Sequence, residues 1–333
     1  MAQEPTHLPL GLPDSQIIQK IRETSLVSLQ EILKFSLISE RCKGLVTTAG
    51  LKGDSINVSI GRRITITISI RENSSELQFH YYREPDMYWG VGAYGRKKKL
   101  TAPLSVIVNE YIPNVSDTTR SNQMKNTSTM QYWLNHLQDI FNYPKIDVIW
   151  FYENSFEFDI DDIKEVFGTA TQVWISNTGC YAFNQMILQN IIPVEKLSIK
   201  PANFQNSEIP GRILMQNFDY LDIDIGIPRM SKNNIYFLRK GSNPQPEYLG
   251  IDCTNVYEDD NEVIMEGISH KVIPADHRRK FKPAENKMPQ VAEGGIDFFR
   301  NDGVKATILF RDLPFPDVEM LVWFDHCVMG SVF

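Results

Sequence analysis

Apolar residues recur along this chain with two different periods, and the change from one to the other falls near residue 55. Before it, Ile17, Ile18 and Ile21 share one face of a helix that Pro13 can open, because a proline at the first helical position lacks only an N–H that has no partner there. Leu8-Pro9 and Leu12-Pro13 read as extended or turn dipeptides, since the residue before proline is driven out of the α region. A Thr24-Ser25 cap then leads into Leu26, Leu29, Ile32, Leu33, Leu37 and Leu45 at helical spacing, with Gln30, Glu31, Lys34 and Glu40 largely on the other side. The pattern predicts two short helices with little core between them.

From Ser55 the period is two. Ile56, Val58 and Ile60 alternate with polar residues, Gly61-Arg62-Arg63 supplies a turn, and Ile64, Ile66, Ile68 and Ile70 alternate with Thr65, Thr67 and Ser69. This is a hairpin with one buried face. A turn at Asn73-Ser74-Ser75 leads to Leu77, Phe79 and Tyr81, a third strand of an antiparallel meander. Residues 83–127 carry loop signals at Pro85 and Pro103, one strand over residues 104–108, and polar sequence from Ser116 onward.

The middle of the chain repeats a two-position strand core: Val173 and Ile175, Leu197 and Ile199, Leu221 and Ile223, Leu249 and Ile251, at spacings of 24, 24 and 28 residues. The first three copies precede helix candidates at residues 183–190, 207–217 and 231–240, and residues 146–151 with 161–167 form a possible earlier copy. A period in this range suits leucine-rich-repeat-like strand-helix units, each burying a shared core against the last. Ordinary α/β strand spacing also accommodates it, and the repeat reading is preferred. The last third offers a polar segment at residues 277–289 and strands at residues 306–310 and 320–324. The expected fold class is α/β.

Length and composition narrow the function. With 333 residues the chain can hold one large domain and a small module without disulfides or metal. Its 34 basic against 41 acidic residues give a net charge of −7, which argues against a main role in gripping nucleic-acid phosphates. Cys42, Cys180, Cys253 and Cys327 show no paired spacing, so the reading is free thiols in a reducing compartment, with neither disulfide framework nor zinc module. The N-terminus lacks a basic and apolar leader pattern, and no run of about 18 apolar residues occurs, so a cytoplasmic or nuclear location is expected. The sequons at Asn57, Asn73, Asn114 and Asn126 are then inert.

Candidate chemistry is thin. Gly90-Val91-Gly92-Ala93-Tyr94-Gly95 matches a phosphate-cradling pattern, but a dinucleotide site needs an apolar strand before it and a helix after it. Neither flanks it, so it reads as a solvated loop followed by the basic run Arg96-Lys97-Lys98-Lys99. The histidines are scattered, with no metal-ligand spacing. Asp325-His326-Cys327 places an imidazole beside a thiol, yet on a strand neighbouring side chains take opposite faces, so it reads as a structural strand end. Asp159, Asp161 and Asp162 read as the acidic first turn of a helix. No catalytic residue, cofactor or metal is expected.

The N-terminal helices remain unexplained, because they carry many large aliphatics for their size. Such an excess either marks a partner surface or packs on the rest of the chain. The Leu-Pro openings, the Ile17/Ile18/Ile21 helix and the segment Phe35-Ser36-Leu37-Ile38-Ser39-Glu40-Arg41 resemble the F-box pattern. The stretch between Leu12-Pro13 and Ser36-Leu37 is about three residues longer than that pattern. Further along, Lys240-Gly241-Ser242-Asn243-Pro244 before a strand, and Gly294-Gly295-Ile296-Asp297-Phe298-Phe299-Arg300-Asn301-Asp302-Gly303 before Ala306-Thr307-Ile308, resemble the expanded nematode family that joins an F-box to an F-box-associated domain.

That resemblance implies a substrate-recognition subunit of a Skp-cullin-F-box ubiquitin ligase, not itself an enzyme. It implies an F-box at residues 8–48, a β-rich region at 52–127, and an F-box-associated domain at 128–333 whose repeat-like units span about 146–255. The Skp adaptor, and through it cullin, would meet Leu8, Pro9, Leu12, Pro13, Ile17, Ile18, Ile21, Leu29, Ile32, Leu33, Ser36 and Leu37. A target protein would meet outward strand positions: Trp174, Ser176, Ser198, Lys200, Asp222, Asp224 and Asp252. The competing reading is a repeat-type binding scaffold without ligase coupling, whose N-terminal helices cap the core.

Overall fold

The computed structural model describes residues 11–24, 29–70, 73–80, 97–111, 122–125, 128–191, 195–200, 218–227, 247–253, 265–282, 290–311 and 317–328. It is a mixed α/β fold, and the chain divides into two compact units, Met1–Thr171 and Gln172–Phe333. Among the described residues no helix is long and apolar enough to cross a membrane.

The first unit begins with three short helices, α1 (Asp14–Thr24), α2 (Leu29–Ser36) and α3 (Glu40–Ala49). Pro13 opens α1, its carbonyl accepting from the N–H groups of Gln16 and Ile17. The second predicted helix is in fact two. Ser39 adopts an extended conformation and its side chain accepts from the Cys42 N–H, so the helical ladder stops after Ser36 and restarts at Glu40. Helix α3 ends at Gly50, whose φ of 68° suits a residue without a Cβ. Arg22 Nε donates to the Ala49 carbonyl and ties the first helix to the end of the third.

The meander follows as β1 (Ser55–Ile60), β2 (Ile64–Ile70), β3 (Asn73–His80), β4 (Ser105–Tyr111) and β5 (Asn122–Lys125). Ile56 stands opposite Ile68, Val58 opposite Ile66 and Ile60 opposite Ile64, and all six are buried. Period-two alternation thus set the register, since a one-residue slip would turn these side chains to the other face. The expected turn at residues 73–75 is instead strand, with Asn73 pairing to Ile70. Strand β6 (Val148–Phe151) adds in parallel to β1, so the described order in this unit is β6-β1-β2-β3-β4-β5. Helices α4 (Met130–Ile140) and α5 (Ile160–Phe167) complete it, and Trp133 of α4 meets Phe79 of β3 edge-on at 6.0 Å. Residue 128, the boundary expected from sequence, therefore falls inside this unit, because the α4 residues share a core with the meander.

The second unit contains β7 (Gln172–Ile175), α6 (Tyr181–Asn190), β8 (Lys196–Ile199), β9 (Tyr220–Ile227), β10 (Tyr248–Cys253), β11 (His270–Phe281), β12 (Gln290–Phe299), β13 (Lys305–Arg311) and β14 (Asp317–Val322). Strands β7 to β10 are parallel neighbours, and β14, β13, β12 and β11 continue antiparallel from β10. The two-position strand core aligns across the parallel ladder: Val173, Leu197, Leu221 and Leu249 form one row, and Ile175, Ile199, Ile223 and Ile251 the next. Helix α6 follows β7 as the spacing predicted, whereas the helix candidates at 207–217 and 231–240 lie outside the described residues. The segment read as polar from residue 277 begins inside β11. That strand is exposed along nearly its whole length and shows no apolar alternation, so nothing in its sequence pattern announced it.

Candidate binding surfaces

The parallel ladder gathers several of the target-contact candidates into rows. Trp174, Ser198, Asp222, Gly250 and Glu319 stand side by side across β7, β8, β9, β10 and β14. Trp174 is 37% exposed, a large aromatic presented to solvent at one end of that row. Ser198 is only 3% exposed and donates from Oγ to Asp222 Oδ2 at 3.1 Å, which corrects its reading as a free contact residue. Lys200 is exposed just past β8, with its N–H donating to the Ile175 carbonyl, and Ser176 is half-buried at the end of β7. Asp224 and Asp252 pair in the β9–β10 register, but their side chains lie outside the described residues.

Two aromatic rings adjoin this row. Tyr220 and Tyr248 stack with centroids 4.7 Å apart and planes 7° apart, and Tyr248 Oη donates to Glu319 Oε1 at 2.9 Å. Gly250 makes room for this, since a Cβ there would come within 2.9 Å of the Tyr248 hydroxyl. Burial, reinforced by Glu319, holds the Tyr248 phenol protonated far above its ordinary range. The sequence reading missed both tyrosines because they sit one position before the repeat core, outside the pair that defines it.

The Gly294-Gly295 segment has a physical role. Their φ values are 65° and 100°, and a Cβ on Gly295 would lie 2.7 Å from the Ile308 carbonyl oxygen. This close approach seats Asp297, whose carboxylate accepts from Arg279 Nη1 at 2.7 and 3.0 Å, from Thr307 Oγ1 at 2.6 Å, and pairs with Lys305 at 2.6 Å. Trp323 Nε1 donates to Thr307 Oγ1 at 2.7 Å while the Arg279 guanidinium lies over the Trp323 ring.

Six of the ten described adaptor-contact candidates are turned inward. Ile17, Ile21, Leu29, Ile32, Leu33 and Ser36 are buried within the first unit, where α2 packs on β3 and β4 and α3 packs on α4. Buried Gln30 lies with its amide near the Val108 carbonyl at 3.5 Å. These residues satisfy their apolar surface against their own chain and are not free to meet a partner. Leu12, Ile18 and Leu37 are half-buried, Pro13 is exposed, and Ile38, which was not among the candidates, is 57% exposed. Leu8 and Pro9 lie outside the described residues.

Below this surface, Ser36 Oγ donates to the Leu33 carbonyl at 2.7 Å, so the 2.8 Å contact from Ser36 to His136 needs the proton on His136 Nε2. Burial, with Lys43 adding to it, pulls the His136 imidazole down to about 4.

Two further features bear on earlier expectations. The basic run stays at the surface but meets acidic residues there: Lys98 pairs with Glu157, and Lys99, its side chain 58% exposed, pairs with Asp159 at 2.7 Å and Asp162 at 3.0 Å. Asp159 also caps α5, accepting from the Asp161 N–H, as an acidic first turn requires. The glycine-rich loop before the run lies outside the described residues. At the other end of the chain, Asp325–Cys327 forms a single 3-10 turn where strand was expected. Neighbouring side chains there do not take opposite faces, and His326 and Cys327 both turn toward Glu247.

No family model matches the chain, and comparison with curated proteins and with solved structures returned no match.

Proposed function

We propose that the protein is a substrate receptor of a Skp-cullin-F-box ubiquitin ligase, docking its adaptor through the N-terminal helices and holding a target protein on the ladder face of the second unit. The observation that carries this reading is the exposed aliphatic remnant on α1 to α3. After the helices have buried their inner faces, Ile38 is 57% exposed and Leu12, Ile18 and Leu37 stay half-buried. An exposed aliphatic residue such as Ile38 suits a partner's pocket, where a few anchors supply most of the binding energy. On the row from Trp174 to Glu319, Trp174 is the exposed member, Asp222 and the stacked Tyr220 and Tyr248 are half-buried, and Ser198, Gly250 and Glu319 are buried, so Trp174 is the anchor offered to a target. In this reading strands β7 to β10 are the leucine-rich-repeat-like part of an F-box-associated domain, and catalysis is proximity supplied to chemistry performed by other subunits.

A second reading is favoured by one observation. Helix α2 is buried on β3 and β4 as a cap on the first unit, which is what a binding scaffold without ligase coupling requires. Adaptor capture separates the two. The receptor reading expects the full-length protein to retain a Skp-type adaptor, and Ile38→Asp to weaken capture at least tenfold with an unchanged melting temperature, since Ile38 supports no core. Substituting Ile17 would be uninformative, because that residue is wholly buried. Failure of the unaltered protein to retain adaptor, or full retention by the Ile38 variant, favours the scaffold.

A further inference from the structure

We propose that Glu247, His326 and Cys327 form a binding site for one zinc ion, held by a carboxylate oxygen, an imidazole nitrogen and a thiolate sulfur. The three donor atoms lie within 4.8 Å of one another, and among the described residues they form a group of a composition that zinc accepts. They come from segments 79 residues apart, so the convergence belongs to the fold and not to local sequence.

The backbone on both sides is fixed. Glu247, at the entry to β10, donates its N–H to the Asp219 carbonyl at 3.1 Å and accepts from the Val322 N–H at 3.0 Å. Cys327 donates to the Phe324 carbonyl at 2.9 Å and accepts from the Lys282 N–H at 3.1 Å. Beside them Phe281 and Val328 form a β-bridge that holds the turn onto β11. Only side-chain adjustment is then needed. Glu247 Oε1 and His326 Nε2 are 2.6 Å apart in a hydrogen bond. In a tetrahedral zinc shell with bonds of about 2.0–2.3 Å, donors sit roughly 3.3–3.8 Å apart, so this pair opens by under about 1 Å while the sulfur closes in. His326, with a side chain 52% exposed, has room to make that movement.

Charge and access support the assignment. Cys327 is fully buried in a cluster with Phe281, Ala292, Leu309 and Leu321, and a carboxylate approaches it at the edge of that apolar cluster. The two positive charges of a Zn²⁺ ion match one carboxylate and one thiolate, and the neutral imidazole completes a site with no net charge. As the sulfur–zinc bond forms, the thiol proton leaves to solvent. Because His326 faces water, the fourth position is open to a water molecule.

The experiment uses the full-length protein, stripped of metal and titrated with Co²⁺ as a spectroscopic stand-in, then with Zn²⁺ in competition. Expected are one Co²⁺ per chain, a thiolate-to-cobalt charge-transfer band in the near ultraviolet, and loss of that band when Zn²⁺ is added. His326→Ala, a change at an exposed side chain, should weaken Co²⁺ binding at least tenfold, and Glu247→Gln should weaken it as well. Cys180→Ser should leave the band intact. Absence of a thiolate band in the unaltered protein, undiminished affinity in His326→Ala, or loss of the band in Cys180→Ser overturns the proposal. Cys327→Ser should abolish the band, and because the other variants carry the decision, poor folding of that one changes nothing.

Discussion

Asp297 concentrates more interactions than any single pattern in the sequence suggested. Burial pushes its carboxyl upward, but Lys305, Thr307 and Arg279 together outweigh burial and hold it below the ordinary carboxylate range. With the folded value below the unfolded one, its contribution is present above about pH 4 and is lost as pH falls through the folded value. Asp297→Asn leaves the half-buried Arg279 and Lys305 without their counter-charge, and removal of one partner from such a network costs roughly 3–5 kcal/mol when the pair is fully buried. Urea unfolding at pH 7 should therefore show a loss of at least about 2 kcal/mol, the lower figure allowing for the partial exposure of Lys305.

His136 has the opposite charge type and a related acid response. Its Nδ1 is buried without a hydrogen-bond partner, and the ring is neutral in the folded state down to about pH 4. An unfolded imidazole takes up its proton near pH 6.5, so stability is complete above that value and declines as pH falls from 6.5 toward 4, by up to about 3 kcal/mol. His136→Leu should remove that part of the acid sensitivity. The stability difference between the two proteins should shift in favour of the variant between pH 7 and pH 4.5, and a difference that stays constant over this range would refute the assignment.

At the scale of elements, legibility tracked how regularly one face is buried. Strands β1 and β2 were readable because Ile, Val and Thr alternate without interruption and the buried positions are all apolar. The single-helix reading of residues 26–45 failed because Leu45 keeps helical spacing with Leu37 while Ser39 caps a new helix between them. Strand β11 was invisible because a strand exposed along nearly its whole length, at the end of the described strand order, has no period to read. It also shifts register between Ile273 and Arg278, opposite the two glycines of β12. Gly295→Ala tests that geometry. A positive φ and a Cβ at 2.7 Å from the Ile308 carbonyl predict a loss of at least about 2 kcal/mol, with the faster amide exchange confined to β11, β12 and β13. A variant as stable as the unaltered protein would show that the strands can shift to admit the methyl group.

For the whole molecule, the receptor reading makes its two surfaces separable, since each belongs to a different compact unit. Trp174→Ala should abolish or sharply weaken capture of the target while leaving adaptor capture unchanged, and Ile38→Asp should do the reverse. Proximity labelling in cells with the two variants reads both arms at once. If Trp174→Ala leaves the labelled set unaltered, the ladder face is not where targets bind.

The sequence by itself determined the elements whose burial is one-sided and periodic: the meander, the parallel strand core, the opening of α1 at Pro13 and the capped acidic turn of α5. Each of these depends on local propensity and on which face is apolar, and both are written in consecutive residues. Tertiary structure alone decided where the N-terminal aliphatics go. Spacing made Ile17, Ile21, Leu29, Ile32 and Leu33 an apolar surface, but only packing against neighbouring elements determined that this surface is consumed internally and that Ile38 is what remains outside. It also decided the meeting of Glu247 with His326 and Cys327. No periodicity encodes a contact between residues so distant in the chain, and a 3-10 turn replaced the strand geometry that would have pointed the histidine and cysteine apart.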